Sequence, residues 1–182
     1  MRVGEPVTGI DIDLVEYERL KEEQLGRIGV RDNLVYATLA VYGGVAAIVL
    51  GGGAGRLPAL LLLPPACLVL GWTYLVNDQK VSAISRYLRR GLGPQLAAAT
   101  GREMLGWETE HRSDGARRRR KIAQVTIDVL LFCWSGVGAV VIFWASATRV
   151  SWPLRGVSIV EVTALVLLAV EILRNAEISG SA

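Results

Sequence analysis

The chain has 182 residues, 52% of them hydrophobic, with 20 Lys/Arg against 17 Asp/Glu and a formal net charge of +3. A mean hydropathy of +0.39 excludes an ordinary soluble domain of this size. A single histidine and two cysteines exclude a zinc module and a disulfide framework.

Four apolar runs organise the chain, at 34–52, 57–76, 122–147 and 157–173. Each is close to the ~20 residues that a helix needs to cross a hydrocarbon core of about 30 Å. None alternates as the strands of a membrane barrel do. The expected fold class is all-α: an integral membrane protein with four transmembrane helices in two hairpins, plus amphipathic cytoplasmic helices.

Residues 1–33 are mostly polar and precede the first run, so that run is not expected to be a cleaved signal peptide. Within them, 13–28 reads as an amphipathic helix with Asp13 as N-cap and Glu16 three residues on. Leu14, Tyr17, Leu25 and Ile28 share a narrow stripe opposite Glu16, Arg19, Glu23 and Arg27. Mixed charge suits a cytoplasmic protein partner better than a lipid surface. Gly26 and Gly29 are expected to let the chain turn into the first span.

The first hairpin is 34–76. Ala40 with Gly44, and Gly43 with Ala47 and Gly51, form ridges of small residues that let backbones approach, within one chain or in a homo-oligomer. Pro64-Pro65 predicts a kink near the middle of the second run. The segment 77–121 begins with a stripe of Val81, Ile84, Leu88 and Leu92 with Arg86, Arg89 and Arg90 facing away. Gly91, Gly93 and Pro94 are expected to end it, and a short helix is expected around 102–107. Arg117, Arg118, Arg119, Arg120 and Lys121 then stand before the third run. They are expected to contact anionic lipid headgroups at about 1 kcal/mol each, and to fix orientation. Nucleic acid is not an expected partner, since no aromatic residues interleave the charge.

The second hairpin is 122–174, followed by a tail at 175–182. Ser135 with Ala139 repeats the small-residue spacing. Tyr42–Leu50 aligns with Trp134–Ile142 as aromatic, small, Gly, Val, small, Ala and three aliphatics, the pattern of a parallel repeat. Three carboxylates interrupt the runs. Asp128 lies about 10 Å of helix rise beyond Lys121, Glu161 lies a comparable depth beyond Arg155, and Glu171 is three residues from Arg174. Such groups face a bundle interior or reach an edge. Cys67 and Cys133 are expected to be buried thiols.

With the N-terminus inside, the cytoplasmic segments hold seventeen Lys/Arg and the outer turns only Arg56, Arg149 and Arg155. Both termini and 77–121 are therefore expected in the cytoplasm. Seventeen arginines against three lysines, with abundant Ala, Gly and Val, suggest a GC-rich bacterial genome and hence a plasma membrane. No cofactor and no enzymatic activity are expected. His111 and Glu108 have the Glu-x-x-His spacing only once, where a di-iron bundle needs it twice.

Two stretches carry a resemblance. Glu18-Arg19-Leu20-Lys21-Glu22-Glu23-Gln24 with Arg27-Ile28 and Arg31-Asp32-Asn33-Leu34, and Leu70-Gly71-Trp72-Thr73-Tyr74-Leu75-Val76-Asn77-Asp78, resemble small integral membrane proteins of bacteria, to which no activity is attached. The plan also resembles membrane effector modules of bacterial conflict systems, which usually have two spans. The leading expectation is a membrane anchor or scaffold that recruits a cytoplasmic protein. The alternative is an oligomeric channel or pore-forming effector.

Overall fold

The computed structural model describes residues 9–52, 54–101, 117–146 and 151–178. Among them there is no strand, and the described chain is almost wholly helical. Four helical rods are long and apolar enough to cross a membrane: Gly9–Gly52, Gly55–Thr100, Arg119–Ser146 and Trp152–Ala176.

The first rod is α1 (Gly9–Gly52). It starts before Asp13 and does not bend out at Gly26 or Gly29. A glycine in a helix interior costs up to about 1 kcal/mol relative to alanine, less than interrupting the helix's hydrogen-bond ladder there. The second rod opens with a 3-10 helix (Ala54–Leu62) and continues as α2 (Leu63–Tyr87). Pro64-Pro65 therefore lies in the first turn of α2 rather than at a kink within it. Their missing N–H groups are ones that a helix start does not use. The rod passes through a π turn (Leu88–Leu92) into α3 (Gly93–Thr100), which Gly101 closes in the left-handed conformation (φ 66°). Gly91, Gly93 and Pro94 thus do not end the helix, which continues through the π turn into α3. The third rod is α4 (Arg117–Val129), a second π turn (Leu130–Trp134) and α5 (Ser135–Ser146). The fourth is α6 (Trp152–Ile178). The short helix expected around 102–107, His111 and the outer turn at 147–150 lie outside the described residues.

The chain divides into two compact units. In the first, Met1–Val30 and Asn77–Arg117, a core of Leu88, Leu92 and Leu96 is packed by Tyr17, Leu20 and Ile84. The stripes on α1 and α2 therefore cover each other in part. Polar contacts flank this core: Gln24 donates to Ser85 Oγ at 2.6 Å, Arg27 reaches Asn77 Oδ1 at 3.4 Å, and the Tyr87 hydroxyl donates to Glu16 Oε1 at 2.8 Å. The Glu16 carboxylate, as acceptor and as a negative charge, raises the Tyr87 phenol above its usual pKa. That bond supports the folded unit while the phenol keeps its proton. Its contribution is complete below the unfolded phenol value of about 10 and fades as pH rises through the raised value.

In the second unit, Arg31–Val76 and Arg118–Ala182, two glycines set the helix spacing. A Cβ at Gly71 would come within 2.8 Å of both Phe132 and Leu168, and one at Gly136 within 2.7 Å of Leu165 and 3.4 Å of the Pro64 backbone. These contacts draw α2, the third rod and α6 together around Tyr74, Leu75, Phe132, Cys133, Leu168 and Ile172. α1 joins through Val45, which packs with Leu63 and Ala139.

Gly71→Ala should destabilise the bundle by about 1–3 kcal/mol through overpacking, measured by unfolding in detergent. Gly43→Ala, where nothing lies within 4 Å of the added Cβ, should be nearly neutral in the same assay. Alkaline titration of the purified protein should lower its thermal stability near and above the phenol range, and Tyr87→Phe should remove that part of the pH dependence.

Candidate functional site

Two polar nodes interrupt the apolar packing of the second unit. The first is built by the π turn at Leu130–Trp134. There the Ser135 amide donates to the Leu130 carbonyl, five residues back, instead of to Leu131. The Leu131 carbonyl loses its ordinary α-helical donor, the usual consequence of a π turn. Two hydroxyls replace it: Tyr42 from α1 donates to it, and Ser135 Oγ donates at 2.5 Å. Tyr42 also contacts Ser135 Oγ, and its hydroxyl stands 3.4 Å from the Cys67 sulfur on α2, which is 3.7 Å from Ser135 Oγ. A backbone irregularity in the third rod is thus closed by one hydroxyl of its own and one from α1, with the Cys67 sulfur of α2 beside them.

The second node centres on Tyr74 of α2. Gln124 donates to its hydroxyl at 3.2 Å, and the hydroxyl is hydrogen-bonded to the buried Asp128 carboxyl. The Arg31 guanidinium lies 6.0 Å from the ring centroid, within cation–π range. Phe132 packs on the ring at 5.0 Å between centroids, tilted by 41°. Gln124 and Asp128 are four residues apart and so share one face of α4. A buried carboxyl needs such partners, because an isolated one would be expensive in an apolar interior.

The other residues singled out from the sequence are placed as follows. Glu171 pairs with Arg174 at 3.1 Å, while Glu161 is half-buried on α6. Ala40, Gly43, Gly44, Ala47 and Gly51 are all exposed on α1, whereas Ser135 and Ala139 lie in the packed face of the third rod. The buried side of α1 is instead Thr38 and Val45, with Leu34, Val35, Val41, Tyr42 and Val49 packed beside them. Tyr17 is in the first unit's core and Ile28 is half-buried, but Leu14 and Leu25 are exposed. Arg119 and Arg120 are exposed and Lys121 is half-buried, with its Nζ withdrawn from solvent. The side chains of Arg117 and Arg118 lie outside the described residues. Five cations in the opening of α4 oppose its dipole, so helix stability does not account for them.

Sequence reasoning missed Tyr42, Tyr74, Gln124, Gly71 and Gly136. A signal existed for the tyrosines, since a phenol inside an apolar run must find a hydrogen-bond partner. Among the described residues the class is accordingly all-α, with four helices long and apolar enough to span a membrane. Comparison with protein-family models, curated proteins and solved structures gives no match.

Tyr42→Phe should cost roughly 0.6–1.7 kcal/mol, the range for hydrogen bonds between membrane helices. Tyr42→Phe with Ser135→Ala should cost more than the sum of the single changes, because only the pair leaves the Leu131 carbonyl without either hydroxyl donor. Unfolding of the four proteins of this cycle in detergent is the measurement.

Proposed function

We propose that the chain is a multi-pass protein of a bacterial plasma membrane, with both termini and 77–121 cytoplasmic, that serves as a non-enzymatic anchor for a cytoplasmic protein. The observation that carries this reading is the first unit. It is a compact helical body with its own core of Leu88, Leu92 and Leu96, yet it leaves Ile12, Leu14, Val15 and Leu25 of α1 exposed, Leu25 to 68%. Apolar side chains that a fold leaves uncovered beside a formed core suit a protein contact.

The membrane assignment draws on the four apolar rods and on the seventeen-to-three distribution of Lys/Arg. The basic opening of α4 is the natural contact for anionic headgroups, each cation near the surface contributing about 1 kcal/mol. The exposed small-residue face of α1 is where a second copy would approach most closely.

In intact cells, a cysteine at Ser113 should react with an impermeant maleimide only after permeabilisation, and one at Ser151 should react from outside. The reverse pattern would overturn the topology. A photo-crosslinking residue at Leu25 should capture one soluble protein, whose retention on membranes Leu25→Glu should abolish. Purified protein should give no single-channel steps in planar bilayers; steps altered by Asp128→Asn would replace the anchor with a channel.

A further inference from the structure

The inner face of α6 is built from Ser158, Glu161, Leu165, Leu168 and Ile172, spaced three or four residues apart. The three aliphatic members are fully packed: Leu165 lies against Gly136 and Leu168 against Gly71. The two polar members have no such account. Ser158 is completely buried and its Oγ has no hydrogen-bond partner among the described residues, and the same holds for the buried Oε2 of Glu161.

The serine is an exception to a local rule. Thr38, Thr73, Thr126, Ser135 and Thr163 each donate to the carbonyl four residues earlier, at 2.5–2.9 Å. Ser158 does not use the Leu154 carbonyl, although that bond is open to any helical serine. Its hydroxyl and the Glu161 oxygen lie one turn apart on one face and do not bond each other. A buried hydroxyl and a buried carboxyl oxygen left open cost several kcal/mol unless something fills the gap.

We infer that Ser158 and Glu161 form a binding site for one small monovalent cation, a proton or a sodium ion, held between Ser158 Oγ and Glu161 Oε2. The charge environment fits a single cation. The Gly136–Leu165 contact sets the register of the α5–α6 hairpin, which brings Val140 and Phe143 of α5 level with Glu161 and Ser158. No residue of α5 is charged or titratable, and the packed π turn offers only Cys133, nearer Leu168 than Glu161 in that register. On α6 itself Arg155 is exposed and Glu171 is paired with Arg174. α2, which meets α6 at Gly71 and Leu168, carries Cys67 and Tyr74, each engaged in its own polar node, and the 3-10 helix before it carries Arg56, which is exposed. The cation would therefore neutralise the Glu161 carboxylate. Asp128, hydrogen-bonded to Tyr74, does not take part.

The inference rests on the membrane-spanning reading, because lipid beside α6 is what denies Glu161 bulk water. The test is modification of the full-length protein in lipid nanodiscs by dicyclohexylcarbodiimide, which adds to protonated carboxyls in apolar surroundings. Peptide mass mapping should find one adduct on Glu161 and none on Glu171, with a rate that falls as pH rises. Slowing by sodium chloride relative to choline chloride identifies sodium as a ligand; indifference to sodium with the pH dependence retained identifies the proton. Ser158→Ala should weaken retention about tenfold, the worth of one good hydrogen bond. Protection would then need about tenfold more sodium, or the pH midpoint would fall by about one unit. An unlabelled Glu161, labelling no faster than at Glu171, or a Ser158→Ala protein identical to wild type would overturn the site. The maleimide pattern at Ser113 and Ser151 in cells reports the spans separately, so a failed site and a failed topology are told apart.

Discussion

A carbonyl freed inside an apolar bundle must find its donor within the protein, because neither lipid nor packed side chains supply one. The architecture of the second unit follows from that constraint at the π turn of the third rod. The turn releases the Leu131 carbonyl, and the donors that answer it are the Tyr42 and Ser135 hydroxyls. Tyr42 therefore fixes α1 to the third rod at one rotational setting, and the Cys67 sulfur nearby brings α2 to the same point. Close approach at Gly71 and Gly136 then packs α6 on the other side. Shape alone would leave apolar helices free to slide; a shared hydrogen-bond acceptor does not.

Both π turns have the same physical origin. Leu88, Leu92 and Leu96 are buried together, and so are Asp128, Phe132 and Gly136. Each set steps by four residues. An α-helix completes a turn in 3.6, so a four-residue stripe drifts by about 40° per step and would leave the interface after two steps. Widening one turn takes up the excess and returns the third residue to the buried face. The price is one unanswered carbonyl, tolerable in the third rod because Tyr42 is placed to reach it.

The number of rods was legible in the apolar runs, because length and composition decide whether a segment can be an apolar helix at all. The extent of the first two was not, since each continues through the polar segment expected to form a separate helix. The apolar side of the second rod at Ile84, Leu88 and Leu92 was legible for the same reason, but Leu96 was not; its place four residues beyond Leu92 could have announced the π turn. Which face of α1 would pack was not legible. Its small residues suggested one side, but the aliphatic side of Val41, Tyr42, Val45 and Val49 meets the bundle, since cross-helix contacts depend on partners far away in sequence. The pairing of Tyr74 with Gln124 and Asp128 was hidden for that reason too. Pro64-Pro65 shows a subtler limit. The dipeptide marks an irregularity, but only the neighbouring 3-10 helix determines that it becomes a helix start.

The widened turns also change how the third rod should respond to the loss of a residue. In a uniform α-helix, deleting one position rotates everything beyond it by about 100° and scrambles the packed face. A rod that already carries a residue in excess can absorb a deletion between Leu130 and Trp134 by relaxing that turn to ordinary α-helix. The upstream and downstream faces would stay nearly aligned, at the expense of the carbonyl that holds Tyr42. Length variation among related sequences should therefore collect at these two turns and spare the helix interiors on either side.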